Sequence, residues 1–335
     1  MLFRSFTAGL ARQAPIIPAA AEVSFIDVDD TVRSTFGYAK QGAGYGYSGV
    51  KGLNALLATA SSATSAPVIV ATRLRKGSAN SARGAARLVS DAIKTTRSCG
   101  VNGLLVLRAD SAYYTRDVIA AAGRHNVRFS VTARKDKAVT AAIAAIGEHA
   151  WTTIKYPRAV FDEQLRQWVS DAEVAEVAFT AFTSRPKAQQ VTARLIVRRV
   201  RDQNPEHVAT NAQGELFRVW RHHAVFTDSP RPMLDAEAEH RRHAIIEQVH
   251  ADLKNGPLAH LPSVIFSRRP DHAFGPSVSG DSASWTVSST CWLVGSCLAW
   301  EGGFLAGSPG RVAAGVSAQG AHASLLAEGF GQRVA

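Results

Sequence analysis

The sequence predicts a mixed α/β fold: a sheet with helices on its faces, interrupted by a β-rich segment. Three observations predict it. From Ala21 to about Gly147, short apolar runs alternate with amphipathic segments of helix length, the pattern of a helix-covered sheet. Between Trp151 and about Arg201 a period-two alternation with few helix signals takes over. A long helical pattern then returns over Asp235–Lys254 and closes at Asn255-Gly256-Pro257.

In chain order, Val23–Val28 is an apolar run broken by turn-prone acids, and Pro67–Thr72 is a second, β-branched run. Ser78 or Asn80 caps a helix running through Arg87, Leu88 and Ile93 to Cys99, where Gly100 stops it. Leu104–Leu107 and Val127–Thr132 read as buried strands, followed by helix-like segments at about Tyr114–Ala122 and Lys137–Ile146. In the β-rich part, Trp168-Val169, Val174 to Phe179 and Val191 to Val200 signal strands, and Phe217–Phe226 adds one more.

The ends differ from the middle. Residues 1–20 hold Arg4 and Arg12 and no acid, which fits a weak organellar presequence or, preferably, a helical stub ending at Pro15 and Pro18. After Pro262 the chain has no lysine, is rich in Gly, Ser and Ala, and scatters Trp285, Trp292 and Trp300 without a period. That tail offers no amphipathic partner for Ile245, Ile246, Val249 and Leu253, and reads as a terminal extension or, preferably, out-of-frame translation. The expected divisions are a residual stub at 1–20, a first core part at 21–149, a β-rich insertion and return strand at 150–228, a helix completing the core at 229–262, and the atypical tail at 263–335.

With 335 residues the chain can bury a sizeable core. Its net charge of +11 and pI near 9.9 point to a polyanionic partner, nucleic acid or an acidic membrane surface. Cys99, Cys291 and Cys297 show neither metal spacing nor an even disulfide framework, which fits a reducing cytoplasm. No apolar run reaches the roughly 18 residues needed to cross a bilayer.

Three stretches set an acid where a metal ion could be held. In Ile26-Asp27-Val28-Asp29-Asp30-Thr31 the strand period puts Asp27 and Asp29 on one face and Asp30 on the other. Crowded carboxylates repel, and a divalent cation relieves that repulsion; a solvated turn closing the strand is the plain rival. Asp110 follows Leu-Leu-Val-Leu-Arg-Ala at a strand's C-terminal end, where ligands gather in open α/β sheets. Its rival role is to cap the turn beginning at Ser111. On the helix at 235–254, residues seven apart share a stripe, so His240, Glu247 and Lys254 align, with His243 four before Glu247. An acid flanked by His and Lys suits a metal beside a phosphate; ordinary charge pairing on a surface helix is the alternative. His222, His223, His240 and His243 lack the usual zinc spacing.

Gly42-Ala43-Gly44-Tyr45-Gly46 lacks the strand-to-helix context of a phosphate loop and reads as a flexible hairpin. Arg73, Arg75, Lys76, Arg83 and Arg87 cluster about a helix N-terminus, a setting that favours phosphate. Arg194, Arg198, Arg199 and Arg201 form a second basic run. Together they predict a surface gripping a nucleic-acid backbone with salt-sensitive affinity, and changes at Arg75 or Arg198 are expected mainly to weaken that grip.

With those positions in hand, the chain resembles bacterial DDE transposases of insertion-sequence family 1380, within the wider insertion-sequence-4 superfamily. The resemblance runs from about Ala21 to Pro262. It rests on Asp-Val-Asp-Asp-Thr, the glycine- and tyrosine-rich 37–46 region, Arg-Lys-Gly-Ser-Ala-Asn-Ser-Ala-Arg-Gly at 75–84, Arg-Ala-Asp-Ser-Ala-Tyr-Tyr at 108–114, and His-Ala-Ile-Ile-Glu-Gln-Val-His-Ala-Asp-Leu-Lys-Asn-Gly-Pro from His243. It implies an RNase H-like mixed-sheet core with a β-rich insertion before the last catalytic helix. It further implies DNA strand cleavage and strand transfer of an insertion sequence, with two Mg²⁺ or Mn²⁺ ions held by Asp29, Asp110 and Glu247. Asp29 is preferred to Asp27 because the superfamily's first acid commonly precedes a Ser/Gly/Asp-Thr pair. Of the superfamily's Tyr-Arg-Glu-Lys signature, Lys254 matches, while His240 and His243 stand in place of Tyr and Arg. The DNA-contacting set so implied is Arg73, Arg75, Lys76, Arg83, His240, His243 and Lys254. The expected partners are DNA, as terminal inverted repeats and target, and a second copy when full length, in a bacterial cytoplasm at the nucleoid and away from membranes. Relatives carry a further N-terminal domain and continue past the position of Leu261-Pro262 with an apolar helix, so a front truncation is expected, and with it the alternative of an inactive remnant that only binds DNA.

Overall fold

The computed structural model describes residues 2–36, 40–157, 160–163, 166–169, 171–201 and 220–256. They divide into two compact units. The first takes the chain up to Arg83, then Leu88–Leu104, then the chain from Ile245; the second takes Gly84–Arg87 and Leu105–Ala244. The expected tail at 263–335, with Cys291 and Cys297, lies outside the described residues.

The first unit is built on an antiparallel ladder. Strand β1 (Ser24–Ser34) pairs along β3 (Lys51–Ser62), with Asp29 opposite Leu57 and Asp30 opposite Leu56. Short β2 (Gly44–Tyr45) pairs with the start of β3. Strand β4 (Val68–Lys76) takes the other edge of β3, with a bulge between Ala58 and Thr59. β3 is the longest strand of the unit and one that hydrophobic alternation does not signal: Gly-Leu-Asn-Ala-Leu-Leu-Ala-Thr-Ala is buried on both faces, and its polar residues, Asn54 and Thr59, are five apart and mark no two-residue period. Gly77 follows β4 where a Cβ would stand 2.0 Å from Gly52 O and 2.3 Å from Gly44 O, which explains the glycine of the Arg-Lys-Gly-Ser run.

Helix α1 (Leu2–Gln13) is the helical segment expected ahead of Pro15. Helix α2 (Ala85–Ser98) starts later than expected, because Asn80 accepts from Ala82 N in a local turn instead of capping a helix. It buries Leu88, Val89, Ala92 and Ile93 and ends at Gly100, whose φ is +94°.

In the second unit β5 (Leu105–Ala109) and β6 (Arg128–Thr132) are parallel, joined through α3 (Arg116–Arg124). The strand order continues β6-β12-β11-β10-β7 with antiparallel pairing, using β12 (Trp220–Thr227), β11 (Val191–Arg201), β10 (Ala172–Ala181) and β7 (Thr152–Thr153). Strands β8 (Val160–Asp162) and β9 (Gln167–Val169) form a separate pair, and α4 (Lys137–Ala144) follows β6. An antiparallel three-strand ladder followed in sequence by β5-α3-β6 supplies the strands of an RNase H-like core. The β-rich segment falls between that core and the last helices, as the sequence predicts.

The helix expected over 235–254 is instead two. Helix α5 (Met233–Arg241) gives way to a 3₁₀ turn at Arg242–Ala244, and α6 (Ile245–Asn255) follows. The buried positions explain the break. α5 buries Ala236, Glu237 and His240, whereas α6 buries Ile246, His250 and Leu253. On one straight helix those stripes would lie about 120° apart, so the turn absorbs the change of phase. The shared stripe drawn from His240 through Glu247 therefore ends at the turn; only Glu247 and Lys254 remain aligned, both within α6. The apolar side of α6 does find a neighbour: Leu253 and Val249 pack with Ala55, Leu57 and Ile69 of β3 and β4. Ile245 stays 41 % exposed.

Candidate catalytic site

Strand β1 sends its acids to two environments. Asp27 is fully buried. Asp29 stands opposite Leu57, on the face against which α6 packs. Its Oδ1 accepts from the Asp30 N–H at 2.8 Å, and its Oδ2 lies 3.3 Å from Nε2 of His250. His250 is 5 % exposed, and neither ring nitrogen has a hydrogen-bond partner. The approach to Asp29 is thus close enough for an ion pair, but its geometry is not that of a hydrogen bond.

Asp30 faces the other way, into a polar chain across three strands. Asn54 Nδ2 donates to Asp30 Oδ2, and Arg75 Nη2 approaches the same oxygen at 3.1 Å. Arg75 also donates from Nε and Nη2 to Asn54 Oδ1 at 2.9 and 2.6 Å. Its Nη1 donates to the carbonyls of Asn80, Ser81 and Arg83 at 3.1, 2.8 and 2.7 Å. One buried guanidinium therefore ties the aspartate strand to the 80–83 turn. Sequence reasoning missed Asn54 because it sits inside the unsignalled strand β3.

Glu247 lies in the first turn of α6, exposed, one helical turn before His250. The first unit thus brings Asp29 against the helix that carries Glu247. His250 was not singled out in the sequence, although its spacing of three from Glu247 on a helix was available as a signal. Asp110 belongs to the second unit, at the end of β5. Its Oδ1 accepts from Ala112 N at 3.0 Å and caps the Ser111–Tyr113 turn, the rival role foreseen for it. Among the described residues, no three His, Cys, Asp or Glu side chains gather so as to hold a metal ion.

The basic residues divide between surface and interior. Lys76, Arg83 and Arg87 are exposed, and Lys254 is half-buried. Arg73 reaches Asp91 of α2 at 2.8 Å. Arg75 is buried, as described, and His240 is buried too, its Nδ1 3.0 Å from Ser130 Oγ and its Nε2 3.0 Å from Thr132 Oγ1. Burial first, and then the charges of His243, Arg108 and Arg198, push the His240 pKa down to about 3, so its ring is neutral. His243 stands beside it, ring centroids 5.9 Å apart, with Nδ1 buried and lacking a hydrogen-bond partner. Neither Arg75 nor His240 is turned outward as a DNA contact requires.

The second basic run is neutralised by acids of its own unit. Arg194 pairs with Glu176 at 2.5 Å, Arg198 with Glu237 at 2.6 Å and Arg201 with Asp171 at 3.7 Å. Arg199 pairs with Glu173 and Glu148 and stacks between Trp151 and Trp220, its guanidinium carbon 4.2 and 4.5 Å from the ring centroids. These arginines bind the β-rich segment together. Cys99 is free, and burial pushes its thiol up to about 11, away from reactivity.

Residues 14–224, well over half of the chain, match the family model described as Transposase DDE domain group 1. The chain belongs to that family of DDE-domain transposases. Asp29 and Asp110 fall inside the matched span and Glu247 beyond it. Members of the family generally use divalent metal ions. No curated protein matches the chain. Among solved structures, it is similar to a piggyBac transposase captured by cryo-electron microscopy in a synaptic complex with hairpin DNA, at 10 % identity and a TM-score of 0.34. The match covers 86 % of this chain and 50 % of that one, so the chain spans half the length of that transposase. Among the described residues, no helix is long and apolar enough to cross a membrane.

Proposed function

We propose that this chain is a DDE-type polynucleotidyl transferase that cuts and joins DNA strands, with Asp29, Asp110 and Glu247 as its metal-binding carboxylates. The observation that carries the reading is the setting of Asp29. It lies within the span matched to transposase DDE domains, and its carboxylate faces the helix that bears Glu247. Asp27 is wholly buried while the Asp29 side chain is 24 % exposed, which favours Asp29 as the first ligand.

The donors fit Mg²⁺ or Mn²⁺. Such ions take oxygen ligands, keep several waters, and need only one or two carboxylates beside the substrate phosphates. The ring of His250 beside Asp29 Oδ2 supports the fit, because neither of its nitrogens is consumed by a hydrogen bond within the protein. Two bound ions would lower the pKa of a water or 3′-hydroxyl and stabilise the leaving oxygen.

The remaining roles fall to the chain's own groups. The Ala112 N–H orients the Asp110 carboxylate. Lys254, aligned with Glu247 along α6, offers a cation to a backbone phosphate, and the exposed Lys76 and Arg83 grip the duplex. Arg75 and His240 act as buttresses. The partners in this reading are terminal repeats and target DNA at the bacterial nucleoid, with a second copy completing the assembly.

The test is nicking of a supercoiled plasmid carrying the element's ends, with Mg²⁺ or Mn²⁺. The expected result is metal-dependent nicks that E247Q removes. A gel shift without metal-dependent nicking would instead select a chain that only binds DNA.

A further inference from the structure

The pair His250 and Asp29 stands at ion-pair distance without the geometry of a hydrogen bond. An N–H···O bond places its heavy atoms at about 2.7–3.2 Å with the hydrogen on line. Here Nε2 and Oδ2 are 3.3 Å apart without that alignment, and both ring nitrogens are left without a hydrogen-bond partner in a side chain only 5 % exposed. Unsatisfied buried polar atoms are costly, so such an imidazole calls for a bonding partner that the polypeptide does not supply.

Two donors bound to one ion at about 2.1 Å lie about 3.0 Å apart at a right angle and about 3.4 Å apart at a tetrahedral one. The observed separation falls between those limits. We propose that His250 is a metal ligand alongside Asp29, so that one ion of the site is held by a mixed nitrogen–oxygen pair and not by carboxylates alone. This rests on the metal-dependent reading above and names a ligand outside its three acids. A neutral imidazole is a stronger donor to Mn²⁺ and later transition ions than to Mg²⁺, so the pair tilts the site toward Mn²⁺. The position of His250, one turn after Glu247 on α6, lets the same helix serve the site with two donor types.

The probe is Mn²⁺ alone, read by pulsed electron paramagnetic resonance, in which a directly bound imidazole imprints a nitrogen modulation on the echo. The full chain should bind Mn²⁺ in a manner that D29N weakens and should show that modulation. H250Q, checked for folding by circular dichroism, should lose the modulation and raise the Mn²⁺ dissociation constant roughly tenfold or more, with a smaller change for Mg²⁺. Mn²⁺ bound in a D29N-sensitive way without nitrogen modulation, or modulation surviving in H250Q, overturns the histidine ligand and leaves the carboxylate reading intact. Mn²⁺ binding indifferent to D29N overturns both. Because the modulation is first read on the unaltered chain, its absence there is decisive even if H250Q fails to fold.

Discussion

Arg75 Nη2 lies 3.1 Å from Asp30 Oδ2, with side chains only 8 % and 4 % exposed, one residue beyond the aspartate assigned to the site. The pair is a buried clamp on the aspartate strand, not a loose surface cation. Removing one member of such a pair strands a charge and costs about 3–5 kcal/mol. Arg75→Met should therefore lower the thermal midpoint and the urea midpoint markedly, because Asn54 Oδ1 and three backbone carbonyls would lose their donor and Asp30 the guanidinium beside it. Unchanged midpoints with weaker DNA binding would return Arg75 to the role the sequence suggested.

Asp29 and Asp30 are neighbours with opposite expected behaviour. Asp29→Asn changes a partly exposed carboxylate whose polar partners among the described residues are a backbone N–H and the edge of His250, so folding should be nearly unaffected while nicking falls by orders of magnitude. Asp30→Asn unbalances the buried Arg75 and should destabilise by a few kcal/mol. Paired measurements of unfolding midpoint and plasmid nicking separate the two, and a matching loss of stability in both variants would refute the division of labour.

His240 makes stability pH-dependent. Its folded pKa of about 3 lies below the ordinary value of 6.5, so the unfolded chain takes up the proton first. The contribution is present in full above about 6.5 and is lost as pH falls toward 3. The slope approaches about 1.4 kcal/mol per pH unit for one proton. His240→Gln keeps a hydrogen-bonding side chain near Ser130 and Thr132 without the titration, and should flatten the urea midpoint between pH 6 and 4. An equally steep fall in the variant would assign the acid sensitivity to other groups.

The sequence was most legible where polarity marks the period. β10 and β11 alternate, and both emerged near their expected ends. β3 did not, because on a strand covered on both faces the few polar residues of its middle, Asn54 and Thr59, give no alternation. The split of the β1 acids, with Asp30 on the face opposite Asp27 and Asp29, is legible because a two-residue period needs no tertiary knowledge. The fate of each cation was not legible. Arg75 and Arg83 belong to one basic cluster in the sequence, yet Asn54 and Asp30 hold Arg75 inside while Arg83 stays exposed. Such pairing depends on register between distant strands. The break at Arg242–Ala244 was readable in principle from the phase of Ile246 and Leu253 against Ala236, but the charged and histidine residues between them also fit a continuous helix.

The two basic clusters should differ in how they answer to salt. Removing one phosphate interaction reduces the slope of log affinity against log salt by about 0.9. Lys76→Ala and Arg83→Ala remove exposed cations, so each should weaken DNA binding across all sequences and lower the slope by about one. Arg194, Arg198 and Arg199 already face Glu176, Glu237, Glu173 and Glu148. Arg198→Ala should therefore leave the salt slope as it is and act through stability, since it removes one of the two arginines, Arg198 and Arg241, that pair with Glu237, whose side chain is 4 % exposed. Filter binding at a series of salt concentrations gives both slopes directly. A slope lowered by Arg198→Ala but not by Lys76→Ala would move the DNA-gripping surface to the β-rich segment.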